Sequence, residues 1–434
     1  MAPSVSTDVA QRLETYIDNA TTKSAPGIPG AILHIVDGKN NALFSHAAGG
    51  SVLLSSDTLA TIYSCTKIMG AIAFMQLVER KLVSLDDITI IPRLLPELAA
   101  KKILLGFEDD ADGKRIPKFE DRTTEFTPRM LMNHTNGTGH EYFNALMKEF
   151  LKDDFEKRNE AADPYTTILD SPLMWQPGTH TNYGQGFDWL AVLIERITKQ
   201  SLADYFQENI FGPLGLTRTG YEEQYGGDIT TRVGNEDAYW PKSFKQPDGT
   251  FIALDGKVLE KMERETAFPE GAYHTYPLGT GLVSTASEYA RLLTILLPEN
   301  KGVDPITGTR ILEPSSVVEI TSAQLPPHLR NDSRYVPSAI PSMIFAGDLE
   351  AEHMDPDGTF GLGCGVQGRD RVLKNGGRGR SKGSVYWYGA ANTEFWVDGE
   401  KGVVVFMTGN YFPWNDQEWV EFVAGVEGLL YNDL

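Results

Sequence analysis

The chain has only two cysteines, Cys65 and Cys364, in 434 residues, which excludes a disulfide framework. No apolar run approaches the roughly 18 residues that cross a bilayer, and the segment Met1 to Ala20 is polar, with no apolar signal core. Basic residues are scarce. Lys and Arg number 39 against 59 Asp and Glu, a net charge of −20. Such a surface repels phosphate backbones, so nucleic acid is excluded as an expected partner. The chain has no low-complexity tract and no internal repeat. It lacks a Gly-x-Ser-x-Gly elbow, which argues against an α/β-hydrolase. His140-Glu141 lacks the second histidine of a zinc helix. A calcium loop opening at Glu108 would need a bidentate Glu where Phe119 stands, so 108–113 reads as a hairpin turn. No metal and no cofactor are expected. The length fits two or three lobes, and the absences together point to a cytoplasmic protein without a membrane partner.

What is present begins with Ser64-Cys65-Thr66-Lys67, placed ahead of an apolar run (Ile68, Met69, Ala71, Ile72, Phe74, Met75, Leu77, Val78) that reads as a buried helix. Residues i and i+3 share a helix face, so the Lys67 amine can reach the Ser64 hydroxyl and turn a weak nucleophile into a usable one. Alone the spacing is unspecific, and an N-cap serine beside a solvated lysine produces it equally well. An amphipathic helix is predicted over 8–21 and a β-hairpin over 31–44 with its turn at Asp37-Gly38-Lys39-Asn40. Further helices are predicted over 189–198, 286–297 and 416–430. Strands are predicted over 361–366, 384–388, 393–397 and 403–408. Strands at both ends of the chain and helices in its middle imply an antiparallel sheet closed by the two termini.

Several further motifs carry a resemblance. Pro177-Gly178-Thr179-His180-Thr181-Asn182-Tyr183-Gly184-Gln185, Gly279-Thr280-Gly281-Leu282-Val283-Ser284-Thr285 and Trp387-Tyr388-Gly389-Ala390 follow Tyr63-Ser64-Cys65-Thr66-Lys67 in order. Leu131-Met132-Asn133-His134-Thr135-Asn136-Gly137 and Phe211-Gly212-Pro213-Leu214-Gly215-Leu216 lie between them. In this set, spread over about 27–412, the chain resembles the serine β-lactamases and D-Ala-D-Ala peptidases, in their class C-like esterase and transesterase branch. The loop Gly106-Phe107-Glu108-Asp109 and the tail Pro413-Trp414-Asn415-Asp416 are similar to those of fungal acyltransferases of the lovastatin-pathway kind. The resemblance implies an α/β fold of the α+β type: an antiparallel sheet flanked by helices (1–60 and 270–434), a mostly helical domain (61–269), and the active site between them.

The resemblance also implies the chemistry. Ser64 would attack an ester or thioester carbonyl, with Lys67 and Tyr183 taking its proton; which of the two is the base stays open, because coupled groups titrate as a pair. The backbone N–H groups of Ser64 and Ala390 would form the oxyanion hole. Gln185, Trp387, Tyr388 and Gly389 would line the substrate. Trp387 stands where lactamases carry the lysine that pairs with a substrate carboxylate, and Gln185 stands in place of an Asn. Both departures argue for an uncharged acyl group, a small-molecule donor, and an alcohol or water acceptor. The basic stretch 369–382 is read as a docking site for an anionic donor or an acyl carrier domain, through Arg378 and Arg380. His134 is read as fixing a helix end and Cys65 as packing. The rival readings are a true β-lactamase or peptidase, and a catalytically inactive binding homologue.

Overall fold

The structure is a computed structural model, and it describes residues 3–22, 27–151, 168–221, 239–253, 276–330, 335–341, 343–345, 347–348 and 357–434. The turn-rich stretch 220–275 lies largely outside the described residues. Seven strands form the principal sheet: β1 (Gly30–Asp37), β2 (Ala42–Gly49), β3 (Thr359–Phe360), β4 (Gly365–Val366), β5 (Val385–Gly389), β6 (Thr393–Asp398) and β7 (Val403–Thr408). Their order is β3-β4-β5-β6-β7-β1-β2, and every neighbouring pair is antiparallel. The first hairpin is thus inserted at the edge of a sheet built by the C-terminal strands, as the distribution of strands in the sequence predicts. Of the expected strand over 361–366 only Gly365–Val366 is strand; 361–364 turns back to pair it with Thr359–Phe360, with Gly363 at a φ of 76°.

Strand alternation sends successive side chains to opposite faces, and register makes this concrete. Tyr386 and Tyr388 on β5 pair with Trp396 and Glu394 on β6, while Trp387 pairs with Phe395 and Phe395 with Phe406. The first set faces the terminal helices α1 (Thr7–Ala20) and α6 (Gln417–Tyr431). There the Trp396 indole donates to the Tyr431 hydroxyl, the Trp419 indole donates to Glu394, and Tyr16 stacks on Phe422. The second set faces α5 (Ala286–Leu293), whose Tyr289 ring meets both Phe395 and Phe406.

On that second face lies the helical part. Helix α2 (Lys67–Glu79) is buried without a break from Lys67 to Leu77. A helix apolar all round belongs inside a core rather than at a surface. It packs on α4 (Gly186–Thr198), which in turn packs on α3 (Pro128–Met132). One continuous apolar core joins these helices to the sheet. A small satellite cluster of Leu104, Met147, Leu151 and Met174 sits beside the hairpin formed by Ile103–Asp109 and Arg115–Glu120.

Candidate active site

Ser64 lies in a single 3-10 turn, Tyr63–Thr66, that runs directly into α2. In a 3-10 turn residues three apart eclipse one another, so Lys67 comes to lie over Ser64. Its Nζ is 3.1 Å from Ser64 Oγ and 2.5 Å from the Gly279 carbonyl oxygen. The Tyr183 hydroxyl, 119 residues away in sequence, is 2.7 Å from the same Ser64 Oγ. Lys67 Nζ sits 4.7 Å above the centre of the Tyr183 ring. The turn is held from both sides. Tyr63, just before the serine, has a φ of 45°, a left-handed conformation that costs a non-glycine residue energy and persists where surroundings enforce it. Its ring meets Phe412 edge-on. Behind it the Tyr289 hydroxyl donates to the Cys65 carbonyl at 2.8 Å. Cys65 itself is fully buried, and burial pushes its thiol well above the ordinary range, so it does not compete as a nucleophile.

Aromatic rings wall the pair. Tyr183 touches His134 (4.8 Å between centres), Phe143 (5.4 Å) and Trp387 (5.7 Å), and His134 lies nearly parallel to Trp387. His134 follows α3 in a left-handed conformation, φ 61°, where glycine is usual. The helix end is secured by Asn136, whose amide donates to the Met130 carbonyl, and not by the imidazole as the sequence suggested. Instead the His134 backbone carbonyl accepts the Asn182 N–H at 2.9 Å, which fixes the approach to Tyr183. Burial, and after it the Lys67 charge, bring the His134 imidazole down to about 3. The ring is therefore neutral and adds no second cation beside Lys67.

The end of β5 closes the site. A side chain at Gly389 would place its Cβ 2.5 Å from the Ile62 carbonyl oxygen, so only glycine lets the strand approach the turn that carries Ser64. Ala390 follows at once, partly exposed. Among the described residues neither the Ser64 nor the Ala390 N–H donates to another protein group.

Comparison with known proteins fits this geometry. The sequence profile of the beta-lactamase family matches residues 9–425. The chain belongs to the beta-lactamase family. Similar members are a monacolin J acid methylbutanoyltransferase of Aspergillus terreus, 27% identical over 93% of this chain and 92% of that one, and a lovastatin esterase of Penicillium rubens, 28% identical over 78% of each. Among solved structures, a LovD6 mutant of simvastatin synthase (LovD) from Aspergillus terreus superposes with a TM-score of 0.75 at 25% identity, covering 98% of this chain and 95% of that one. The fold is that of these relatives.

Four residues that sequence reasoning put at the site of this beta-lactamase family member do other work. Tyr388 faces α6 with Tyr386, since it is one residue out of step with Trp387. Gln185 is buried and donates its amide to Ser171 Oγ at 2.9 Å, tying 171 to the start of α4. Arg380 is not a docking residue. It is completely buried, stacked between Tyr386 and Trp396, and paired with Glu427 of α6. Arg371 joins the same carboxylate. Arg378 is exposed, but its hairpin is anchored on α6 by Leu373 against Gly428. It leads into the Val385 end of β5, whereas Gly389 lies about 13 Å further along at ~3.3 Å per residue. The basic hairpin thus belongs to the back of the sheet. One neighbour that the sequence did not single out is Asp188 on α4, which accepts the Gly279 N–H at 2.9 Å. A carboxylate on an apolar helix is a legible signal only once its partner strand is known.

Proposed function

We propose that this chain is a serine acyltransferase and esterase that passes an uncharged acyl group from a small ester or thioester to an alcohol, or to water, in secondary metabolism. The observation that carries the reading is the convergence of Lys67 Nζ and Tyr183 Oη on Ser64 Oγ. The methylbutanoyltransferase and esterase relatives support the reaction class.

In this reading Ser64 Oγ attacks the acyl carbonyl as its proton passes to the Lys67–Tyr183 pair. The oxyanion is stabilised by the Ser64 and Ala390 N–H groups, which are fixed before the reaction and need no reorganisation. Collapse breaks the bond to the departing alkoxide or thiolate, which takes up the proton. The acceptor hydroxyl then gives its proton to the same pair, attacks the acyl-enzyme, and Ser64 Oγ leaves reprotonated. Trp387 offers an apolar face and no cation, which disfavours substrates that need a carboxylate held. Turnover of a chromogenic cephalosporin is accordingly expected to be weak or absent. Nothing in this chemistry needs an acyl carrier domain, and the hairpin at 369–382 gives no support for one.

The test is intact mass spectrometry with p-nitrophenyl butyrate and small acyl thioesters. The expected result is an acyl adduct on the native chain that disappears in Ser64→Ala and is discharged faster by added alcohols. An adduct that persists in Ser64→Ala would overturn the assignment.

A further inference from the structure

The Lys67 amine is shared between Ser64 and one backbone carbonyl, that of Gly279. The same residue's N–H donates to Asp188 Oδ1. A Cβ at residue 279 would come within 2.8 Å of Oδ1 and 3.1 Å of Oδ2. The carboxylate is therefore pressed against this backbone, and a side chain at residue 279 would displace it. Gly279 thus joins the two: its carbonyl accepts from Lys67, and its N–H, on the preceding peptide unit, donates to Asp188.

We propose that Asp188 is a positioning residue for proton transfer: it fixes Gly279, on whose carbonyl the Lys67 amine is anchored, and its charge acts on that amine. This rests on the assignment of Ser64 as the acylated nucleophile. The groups that face Asp188 are Lys67 from α2, the Gly279 N–H from the segment ahead of Leu282–Ser284, and His140 and Glu141 from the loop after α3. Burial moves Asp188 upward, Glu141 adds to that, and Lys67, the Gly279 N–H and His140 oppose it. His140 Nδ1 lies 3.1 Å from Glu141 Oε2, and Lys67 is the largest of the influences that oppose the rise of Asp188.

Two substitutions separate geometry from charge. Asp188→Asn keeps an oxygen for the Gly279 N–H and removes the charge. A carboxylate favours the protonated amine, so its loss lets the Lys67–Tyr183 pair deprotonate at lower pH. The acidic limb of kcat/KM for p-nitrophenyl butyrate should move down by roughly 0.5–1 pH unit, with acylation at the top of the profile within about tenfold of native. Asp188→Ala removes the hydrogen bond as well, and acylation should fall roughly 100-fold, the scale of a misplaced catalytic group. Near-ultraviolet circular dichroism checks that each variant is folded; if Asp188→Ala is not, the Asp188→Asn profile decides alone. An acidic limb that stays in place in folded Asp188→Asn overturns the proposal, because a purely structural carboxylate would not move it. Acylation that proves independent of Ser64 in the Ser64→Ala control would refute the proposed function instead, whatever Asp188 does.

Discussion

Replacing Glu427 by glutamine removes one charge from the most deeply buried ionic cluster behind the sheet. Glu427 Oε1 accepts from the Arg380 N–H at 2.7 Å and from Arg380 Nε at 3.1 Å, and Oε2 accepts from Nη2 at 3.1 Å. Arg371 Nη1 approaches Oε2 at 3.3 Å. Burial alone would raise the carboxyl, but Arg371 and Arg380 outweigh it and hold it down to about 2, from an ordinary 4.5. That depression is worth roughly 3 kcal/mol at ~1.36 kcal/mol per unit. Since the folded value is depressed, this stability is present above about pH 4.5 and is lost as pH falls toward 2. Breaking a buried pair by removing one partner independently costs about 3–5 kcal/mol, because an uncompensated guanidinium remains inside. The two routes agree near 4 kcal/mol. For 434 residues, an unfolding entropy of ~2.1 cal/mol/K per residue gives ~0.9 kcal/mol/K, so Tm should drop by only about 4–5 °C. Urea unfolding monitored by tryptophan fluorescence at pH 7 reads the free energy directly. A loss below about 1 kcal/mol would refute the view that Arg380 is an internal, Glu427-dependent charge.

Two further outcomes concern the same sheet. Burial, reinforced by Glu427 and opposed by Arg380 and Arg371, pushes Glu394 up to about 7 from 4.5. A raised carboxyl adds stability that is fully present below about pH 4.5 and is lost as pH rises through 7; Glu394→Gln should erase about 3 kcal/mol of this pH dependence, and stability–pH curves that stay parallel would contradict it. Trp387 packs against Phe360 at 5.4 Å and Tyr183 at 5.7 Å; Trp387→Ala should cost about 3–5 kcal/mol of stability and raise KM for long-chain acyl esters more than for acetyl esters, whereas an equal change for both would remove Trp387 from acyl recognition.

Much of the fold was legible because its signals are local. The alternation over 393–397 and 403–408, the turn at Asp37–Asn40 and the apolar run after Lys67 each name an element without knowledge of its neighbours. The Ser64–Lys67 pair is legible for the same reason, since one turn of backbone brings the two together. The misreadings have equally local causes. Trp387-Tyr388-Gly389 was read as one lining segment, although a period of two already puts Tyr388 on the other face. Arg378 and Arg380 read as a surface patch from charge alone, although only Arg378 is exposed and Arg380 is shut in against Glu427. Gln185 was read by its place in a motif, and its amide is taken by Ser171.

By itself the sequence determined the Ser64–Lys67 pairing, the sheet-forming ends and the family, because helical spacing, strand alternation and motif order are properties of the linear chain. Only the tertiary structure decided that Tyr183 meets Ser64 across 119 residues, that Arg380 is shut inside against Glu427, and that Asp188 stands behind Gly279. Charge, burial and hydrogen-bond partnership are set by what packs against a residue, and no spacing rule carries that information between elements far apart in the chain.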